Sequence, residues 1–340
     1  MGEALVDYVI GIDGGGTKTA CVLADSSGNV LSVGFGRCSN HQICGMDAAV
    51  ETISALVRDS AVEAGLRPSD IGLVMMGLAG ADSEADLKGL YGGLARALPG
   101  MKIKIVNDIW IAFDSEVRKG WGAISICGTG HNAAVKTPDG RTVGIRALKY
   151  ILGNYGGGRC LTDEAFHCAF RSSEHTGPFT ALENRLPEYC GVPDMDRLAE
   201  AVYRSGYQFQ YRYNVPKLVF RLAGDDAVCR RLVGHMGEEL GAMLSGLIEK
   251  AGLCGRAVPV VLGGSLYVND DGDCLLSSFS ESLARKVPKF HLHLLKTPPV
   301  CGAVLMGFRE AGAPLEERSE QKLRRALSEK LKKEWNDGNG

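Results

Sequence analysis

Across 340 residues no apolar run reaches the ~18 residues a membrane-spanning helix needs, so no membrane partner is expected. Charge of one sign is not in excess. The net charge of −2 offers no electrostatic footprint for nucleic acid or an anionic surface. Residues Met1 to Asp7 are too short and too acidic for a signal peptide, and they leave no room for a DNA-binding module before the first strand, so a repressor role is not expected. There is no low-complexity segment and no short tandem repeat. Eleven cysteines are present but none forms Cys-x-x-Cys. Their number is odd, their spacing irregular, and several lie inside apolar runs. That usage argues against a zinc or iron–sulfur centre and points to a reducing cytoplasm.

What is present begins at Tyr8. The apolar run Tyr8-Val9-Ile10 leads into Gly11-Ile12-Asp13-Gly14-Gly15-Gly16-Thr17-Lys18-Thr19, and Ala20 to Ala24 is apolar again. One carboxylate, a run of glycines and two hydroxyls thus stand at a strand end. Glycines let backbone N–H groups approach an anion, and a carboxylate can share Mg²⁺ with phosphate oxygens. The segment reads as a nucleotide-phosphate cradle on a β-hairpin. A Walker A loop is excluded, because counting from Gly11 puts Thr17 where Lys must stand. A dinucleotide fingerprint is excluded too, because β-prone residues follow the glycines instead of a helix. Ser26-Ser27-Gly28-Asn29 turns the chain into a third strand, Val30 to Phe35.

Downstream, Val50, Ile53, Val57 and Ala61 mark the apolar face of a helix from about Asp47 to Ala64, with Gly65 as its stop. Ile71 to Met76 reads as a strand and Glu84 to Leu98 as a helix. Lys102 to Val106 is a strand delivering Asn107 and Asp108 at its C-terminal end. The opening theme then recurs about 115 residues on. Gly122 to Cys127 is a strand, Gly128-Thr129-Gly130 a turn, His131 to Lys136 a returning strand, and Pro138-Asp139-Gly140 another turn. Leu161 to about Gly255 is helical in pattern. Val258 to Leu262 is a buried-type strand ending in Gly263-Gly264-Ser265, and Phe290 to Leu295 is another strand. Pro298 to Ala303 leads into a helix over Ala303 to Ala311, and a charged, helix-prone tail follows. The fold class expected is α/β, built by duplication.

This set of motifs resembles the sugar kinase–Hsp70–actin superfamily, with its duplicated ribonuclease-H-like (actin-like ATPase) domains. Within it the chain is similar to the N-acetylglucosamine kinase branch, grouped with the BadF/BadG/BcrA/BcrD ATPases. The resemblance rests on Asp13 to Thr17, Ser39-Asn40-His41, Asn107-Asp108, Gly128 to Gly130, and Gly263 to Ser265 together with Pro298 to Ala303. It implies an N-terminal domain of residues 1–116 plus about 303–340, a C-terminal domain of residues 117–302 with helical insertions, and an interdomain cleft. It also implies a cytoplasmic, ATP- and Mg²⁺-dependent kinase of a sugar hydroxyl and the possibility of a homodimer. Asp108 would be the general base and Asp13 the metal ligand. Gly14, Gly15, Gly16, Thr17, Lys18, Gly128, Thr129, Gly130, Gly263, Gly264 and Ser265 would hold ATP. Asn40, Asn107, Asp108 and Asn154 would face the substrate.

The chain departs from the branch at the sugar-side loop. Members carry Gly-Trp-Gly followed by Leu-Gly-Asp-Glu-Gly-Ser, whereas here the stretch runs Arg146 to Gly158. Asn154 stands for the Asp and Tyr155 for the Glu, the Trp segment carries Arg146 and Lys149, and His131 replaces the Ser after Gly-Thr-Gly. Two carboxylates are lost and two cations gained. If these face the site, an anionic substrate of the N-acetylmuramic type gains charge-assisted hydrogen bonds. Two other roles stay open: a sugar-sensing ATP-binding protein without catalysis, and an ATP-driven activator of a partner enzyme.

Overall fold

The computed structural model describes residues 6–146, 150–268, 270 and 272–338, with side chains through residue 331. In chain order the strands and helices are β1 (Tyr8–Gly14), β2 (Thr19–Asp25), β3 (Val30–Gly36), α1 (His41–Cys44), α2 (Met46–Glu63), β4 (Ile71–Leu78), α3 (Glu84–Ala97), β5 (Ile103–Asn107), α4 (Asp108–Glu116), β6 (Gly122–Cys127), β7 (His131–Lys136), β8 (Thr142–Gly144), α5 (Gly158–Ser173), α6 (Leu182–Tyr189), α7 (Met195–Arg204), α8 (Val215–Leu222), α9 (Ala227–Lys250), β9 (Val258–Gly263), α10 (Ser265–Val268), α11 (Cys274–Ala284), β10 (Phe290–Leu294), α12 (Pro299–Glu310) and α13 (Glu317–Gly338). They form two compact units, one of Met1–Gly120 with Leu295–Gly340 and one of Trp121–Leu294.

The first unit holds a five-stranded sheet in the order β3-β2-β1-β4-β5. The three hairpin strands are antiparallel, while β4 and β5 run parallel to β1. The near-continuous apolar content of β1 and β4 fits burial on both faces. One face packs Ile10, Ile12, Cys21, Leu23, Val74 and Met76 with α2 and α3. The other packs Val9, Val22 and Ala24 with Val304 and Phe308 of α12 and Leu323 and Leu327 of α13. Chain re-entry at Leu295 is fixed by Glu116, whose Oε1 accepts from the backbone N–H of Lys296 (2.8 Å) and Thr297 (2.6 Å).

The expected helix start at Ala303 requires correction: α12 begins at Pro299. Proline suits the first turn of a helix, where its missing N–H is no loss. Gly302 lies inside this helix because a Cβ there would come within 1.8 Å of the Ile111 carbonyl oxygen on α4. The Pro/Gly cluster that reads as a loop is therefore a helix–helix contact.

The second unit repeats the plan. Its sheet runs β10-β9-β6-β7-β8, again three antiparallel hairpin strands followed by two parallel ones. One continuous core joins this sheet to α5 through α9 and to α11. Helices α9 and α11 approach closely at Gly237 and Gly241, where a Cβ would lie 2.4 Å from the Leu275 and Phe279 carbonyl oxygens. All eleven cysteines are free thiols. No helix among the described residues is long and apolar enough to cross a membrane.

Candidate active site

In the first unit, parallel β1, β4 and β5 end side by side. Asp13 is in register with Gly77, Gly77 with Val106, and Leu78 with Asn107. The carboxyl ends of such strands are where open α/β sheets place their ligands. The Gly14–Thr19 pair closes the hairpin, and the Gly15 N–H donates to the Lys18 carbonyl at 3.0 Å. Gly14 has no room for a side chain, since a Cβ would meet Leu78 and the Ser39 hydroxyl at 2.5 Å. Gly16 and Thr17 are exposed at the tip. The turn is anchored from below: the Thr19 hydroxyl donates to the Arg37 carbonyl (2.6 Å) and accepts from the Ser39 hydroxyl (2.7 Å), and the Ser39 N–H donates to the Gly15 carbonyl (3.1 Å).

Two carboxyls at this edge are held well above their ordinary range. Burial pushes Asp13 up to about 7; the Asp108 charge adds to this and the Lys18 ammonium opposes it. Asp108 is pushed up to about 6 by burial and then by the Asp82 charge, against backbone N–H groups of the α4 N-terminus that favour the ionised form. Asp108 is the first residue of α4 but does not cap it. Asn107 does, accepting from the Ile109 N–H at 3.0 Å. Asp108 is thus not the N-cap, although its carboxyl still faces the first backbone N–H groups of α4.

Asp82 ends the Gly77 to Asp82 loop, which the resemblance matches to a sugar-side loop without assigning it a site residue. It lies in the loop after β4, accepts from Asn107 Nδ2 at 2.7 Å, and lies 3.5 Å from Gln42 Nε2. Gln42 also donates to the Gly80 carbonyl at 3.1 Å. Asn40 caps α1, its Oδ1 accepting from the Gln42 N–H at 3.0 Å. Gly80 must be glycine, because its φ is +84° and a Cβ would lie 2.6 Å from Asn40 Oδ1. Asn40, Asp82, Asn107 and Asp108 therefore form one polar edge. The signal for Asp82 was only its place, four residues past the end of a parallel strand.

In the second unit the Gly128–Gly130 turn is closed by a Gly128 N–H to Gly130 carbonyl bond of 2.9 Å, and Thr129 and Gly130 are exposed. Helix α5 begins against this turn: the Gly158 N–H donates to the Gly128 carbonyl (2.7 Å) and the Arg159 N–H to the Thr129 carbonyl (3.1 Å). Gly157, at φ +88°, permits this, since a Cβ there would lie 2.5 Å from Gly130 Cα. Gly264 leans on the other side, its hypothetical Cβ 2.3 Å from the Cys127 carbonyl oxygen. Gly263 pairs with Ile126, and Ser265 opens α10 half-buried beside them. Thus Gly128 to Gly130 and Gly263 to Ser265 converge within one unit.

The other expected substrate-side residues divide. Asn154 is half-buried and bonded to His131, its Nδ2 donating to the His131 carbonyl at 3.1 Å. Arg146 is exposed, and Lys149 lies outside the described residues. Among the described residues no group of three or more His, Cys, Asp or Glu side chains is arranged to hold a metal by itself. Asp13 remains as a single carboxylate donor. A lone burial-strained carboxylate fits a cation that brings most of its own ligands, as Mg²⁺ bound to nucleotide phosphates does.

The profile of the BadF/BadG/BcrA/BcrD ATPase family matches residues 10–305, which takes in both glycine turns, Asp108 and the Gly263 segment. The chain belongs to this family. Relatives include an N-acetylmuramic acid/N-acetylglucosamine kinase of Clostridium acetobutylicum, 26% identical over 305 residues, covering 89% of this chain and 99% of that protein. An N-acetyl-D-glucosamine kinase of Dictyostelium discoideum is 26% identical over 314 residues, covering 88% and 97%. Among solved structures, a candidate N-acetylglucosamine kinase from Chromobacterium violaceum superposes with a TM-score of 0.66 at 21% identity, covering 88% of this chain and 99% of that one. A ROK hexokinase from Thermus thermophilus gives 0.56 at 19%, covering 90% and 99%. These likenesses show the fold: the duplicated actin-like ATPase architecture is borne out for this BadF/BcrA-family chain.

Proposed function

We propose that this BadF/BcrA-family chain is an ATP-dependent kinase that phosphorylates a hydroxyl of an N-acetylated amino sugar. The observation that carries this reading is Asp108, a carboxyl that follows the end of a parallel strand, stands beside the Asn107 cap of α4 and is raised by burial to about 6. A group poised there is ionised at neutral pH and accepts a proton more readily than an ordinary aspartate. Nothing in ATP binding alone calls for it. The activities named for the Clostridium and Dictyostelium relatives support the same reading.

In the mechanism, Asp108 accepts the proton of the attacking hydroxyl. Asn107 and Asp82 fix the start of α4, and so the position of Asp108. Asn40 and Asn154 present amide groups, which donate and accept together as a hydroxyl requires. Gly14 to Thr17, with Lys18 adding charge, and separately Gly128 to Gly130 each offer backbone N–H groups and a hydroxyl suited to phosphate. The Gly263–Ser265 segment takes the nucleoside end. Asp13 would hold Mg²⁺, which would supply neutralisation of phosphate charge.

The test is a coupled ATPase assay across N-acetylglucosamine, N-acetylmuramic acid and neutral hexoses. Turnover with an N-acetylated amino sugar supports the reading. ATP binding without transfer to any sugar defeats it and leaves the sensing role. The named specificity of the Clostridium relative makes the acidic sugar the comparison of most interest. Preference for it over N-acetylglucosamine would place a cation from the Arg146–Lys149 stretch at the substrate carboxylate.

A further inference from the structure

His131 and Asn154 are two of the positions where the second unit departs from the branch pattern, and the fold joins them. His131 is buried, 4% exposed. Its Nε2 lies 2.9 Å from Ser125 Oγ, which in turn lies 2.7 Å from the Tyr267 hydroxyl. Its Nδ1 lies 3.4 Å from Asn154 Oδ1, while Asn154 Nδ2 donates to the His131 backbone carbonyl. The amide of Asn154 cannot be turned over, because its oxygen would then face a carbonyl oxygen. Oδ1 must therefore face Nδ1, and Nδ1 must carry the hydrogen. Nε2 then accepts from Ser125, and Ser125 accepts from Tyr267. Every buried donor in the string has an acceptor in this one arrangement.

We propose that His131 is a positioning residue for Asn154, and that the two departures form one coupled pair: the residue at 154 must accept from Nδ1–H of a neutral imidazole and at the same time donate to the His131 carbonyl, which an amide does and a carboxylate does not. The proposal rests on the kinase reading only for what Asn154 then does, which is to present its remaining N–H and lone pair to a substrate hydroxyl. An Asp at 154 would set one oxygen against the His131 carbonyl and the other against the ring, and the imidazolium would be needed to hold it. Among the described residues no charged side chain is among the ring's partners: Ser125 on β6, Asn154 on the loop before α5, and the Gly156 backbone, with Tyr267 of α10 one bond further on. Burial already holds the ring at about 4.

Two measurements on the full chain test this. The first is ¹⁵N NMR of histidine-labelled protein, with the His131 signal assigned by its loss in His131→Asn. The wild-type ring should be neutral with hydrogen on Nδ1 from pH 5 to 8, and in the isosteric Asn154→Asp variant it should titrate at or above the ordinary histidine value, about 6.5. Hydrogen on Nε2, or an unshifted ring in Asn154→Asp, overturns the proposal whether or not the protein is a kinase. The second is a double-mutant cycle on sugar KM. Asn154→Asp should raise it about tenfold in the wild-type background and less than about threefold in His131→Ser, with ATP KM within about twofold throughout. Additive effects, or sugar and ATP KM rising together, show that His131 is merely structural. Absence of transfer to any sugar by the wild type would sink the kinase reading alone, and the NMR outcome would still decide the coupling.

Discussion

The two glycine turns occupy the same place in sheets of the same topology, yet they are surrounded by opposite chemistry. Around Gly14 to Lys18 stand carboxyls, Asp13 and Asp108, both held above their ordinary range, with Asp82 close to the second. Around Gly128 to Gly130 there is no carboxyl in the sheet. Cys127 ends β6, and a neutral histidine opens β7. The first turn is braced by side-chain hydroxyls and keeps its neighbours reactive. The second is braced by backbone, with α5 donating two N–H groups to its carbonyls. Duplication supplied two equivalent turns, and on the proposed reading proton transfer falls to one unit and positioning to the other.

The largest expected break in this comparison is Asp108→Asn. It should lower kcat by about 10²–10⁴ while ATP affinity, measured by calorimetry, stays within about threefold. Loss of ATP binding instead would make Asp108 part of the nucleotide site. Next is Gly157→Ala, which forces a Cβ into Gly130 at a positive φ. It should destabilise the second unit by about 2 kcal/mol and raise ATP KM, read by chemical denaturation and kinetics. Gly15→Ala has a longer contact, 3.1 Å to the Lys18 carbonyl, and should cost less. If the two cost the same, the contrast in bracing is wrong.

The pH dependence sharpens the comparison further. Asp13 and Asp108 have folded-state values above their unfolded ones. Their contribution to stability is therefore complete below about 4 and is lost as pH rises through about 6 to 7. Asp13→Asn should flatten that loss in the ligand-free protein, gaining a few degrees in melting temperature at pH 7.5 and little at pH 5. His131 has the reverse sign. Its folded value lies below its unfolded one, so it costs stability as pH falls from about 6.5 toward 4. The smallest effect expected is Lys18→Ala. Removing a cation that opposes the rise at Asp13 should shift the acid limb of the rate profile upward by a fraction of a pH unit.

The duplicated strands were legible because glycine turns and short apolar runs are local signals. Asp13, Asn107 and Asp108 were legible for the same reason, each sitting at the end of a strand that its own neighbours define. The start of α12 was not, because Pro299 and Gly302 look like loop residues until α4 is seen against them. The Gly77 to Asp82 loop was legible as a segment, but Asp82 itself was not, because an aspartate in a polar loop is ordinary and only the fold brings it to Asn107. The link between His131 and Asn154 spans 23 residues and is closed by a turn whose reason, Gly157 against Gly130, lies in three dimensions.

The return of the chain at Leu295 has a consequence for the order in which this protein is made. The face of the first sheet that carries Val9, Val22 and Ala24 is covered by Val304 and Phe308 of α12 and by α13. As the chain leaves the ribosome, that face is complete in sequence by residue 25 and stays without its cover for nearly 280 more residues. The second unit, continuous from Trp121 to Leu294, contains everything its own core needs before the first can close. Synthesis thus runs from the first unit to the second, and folding must finish in the opposite order.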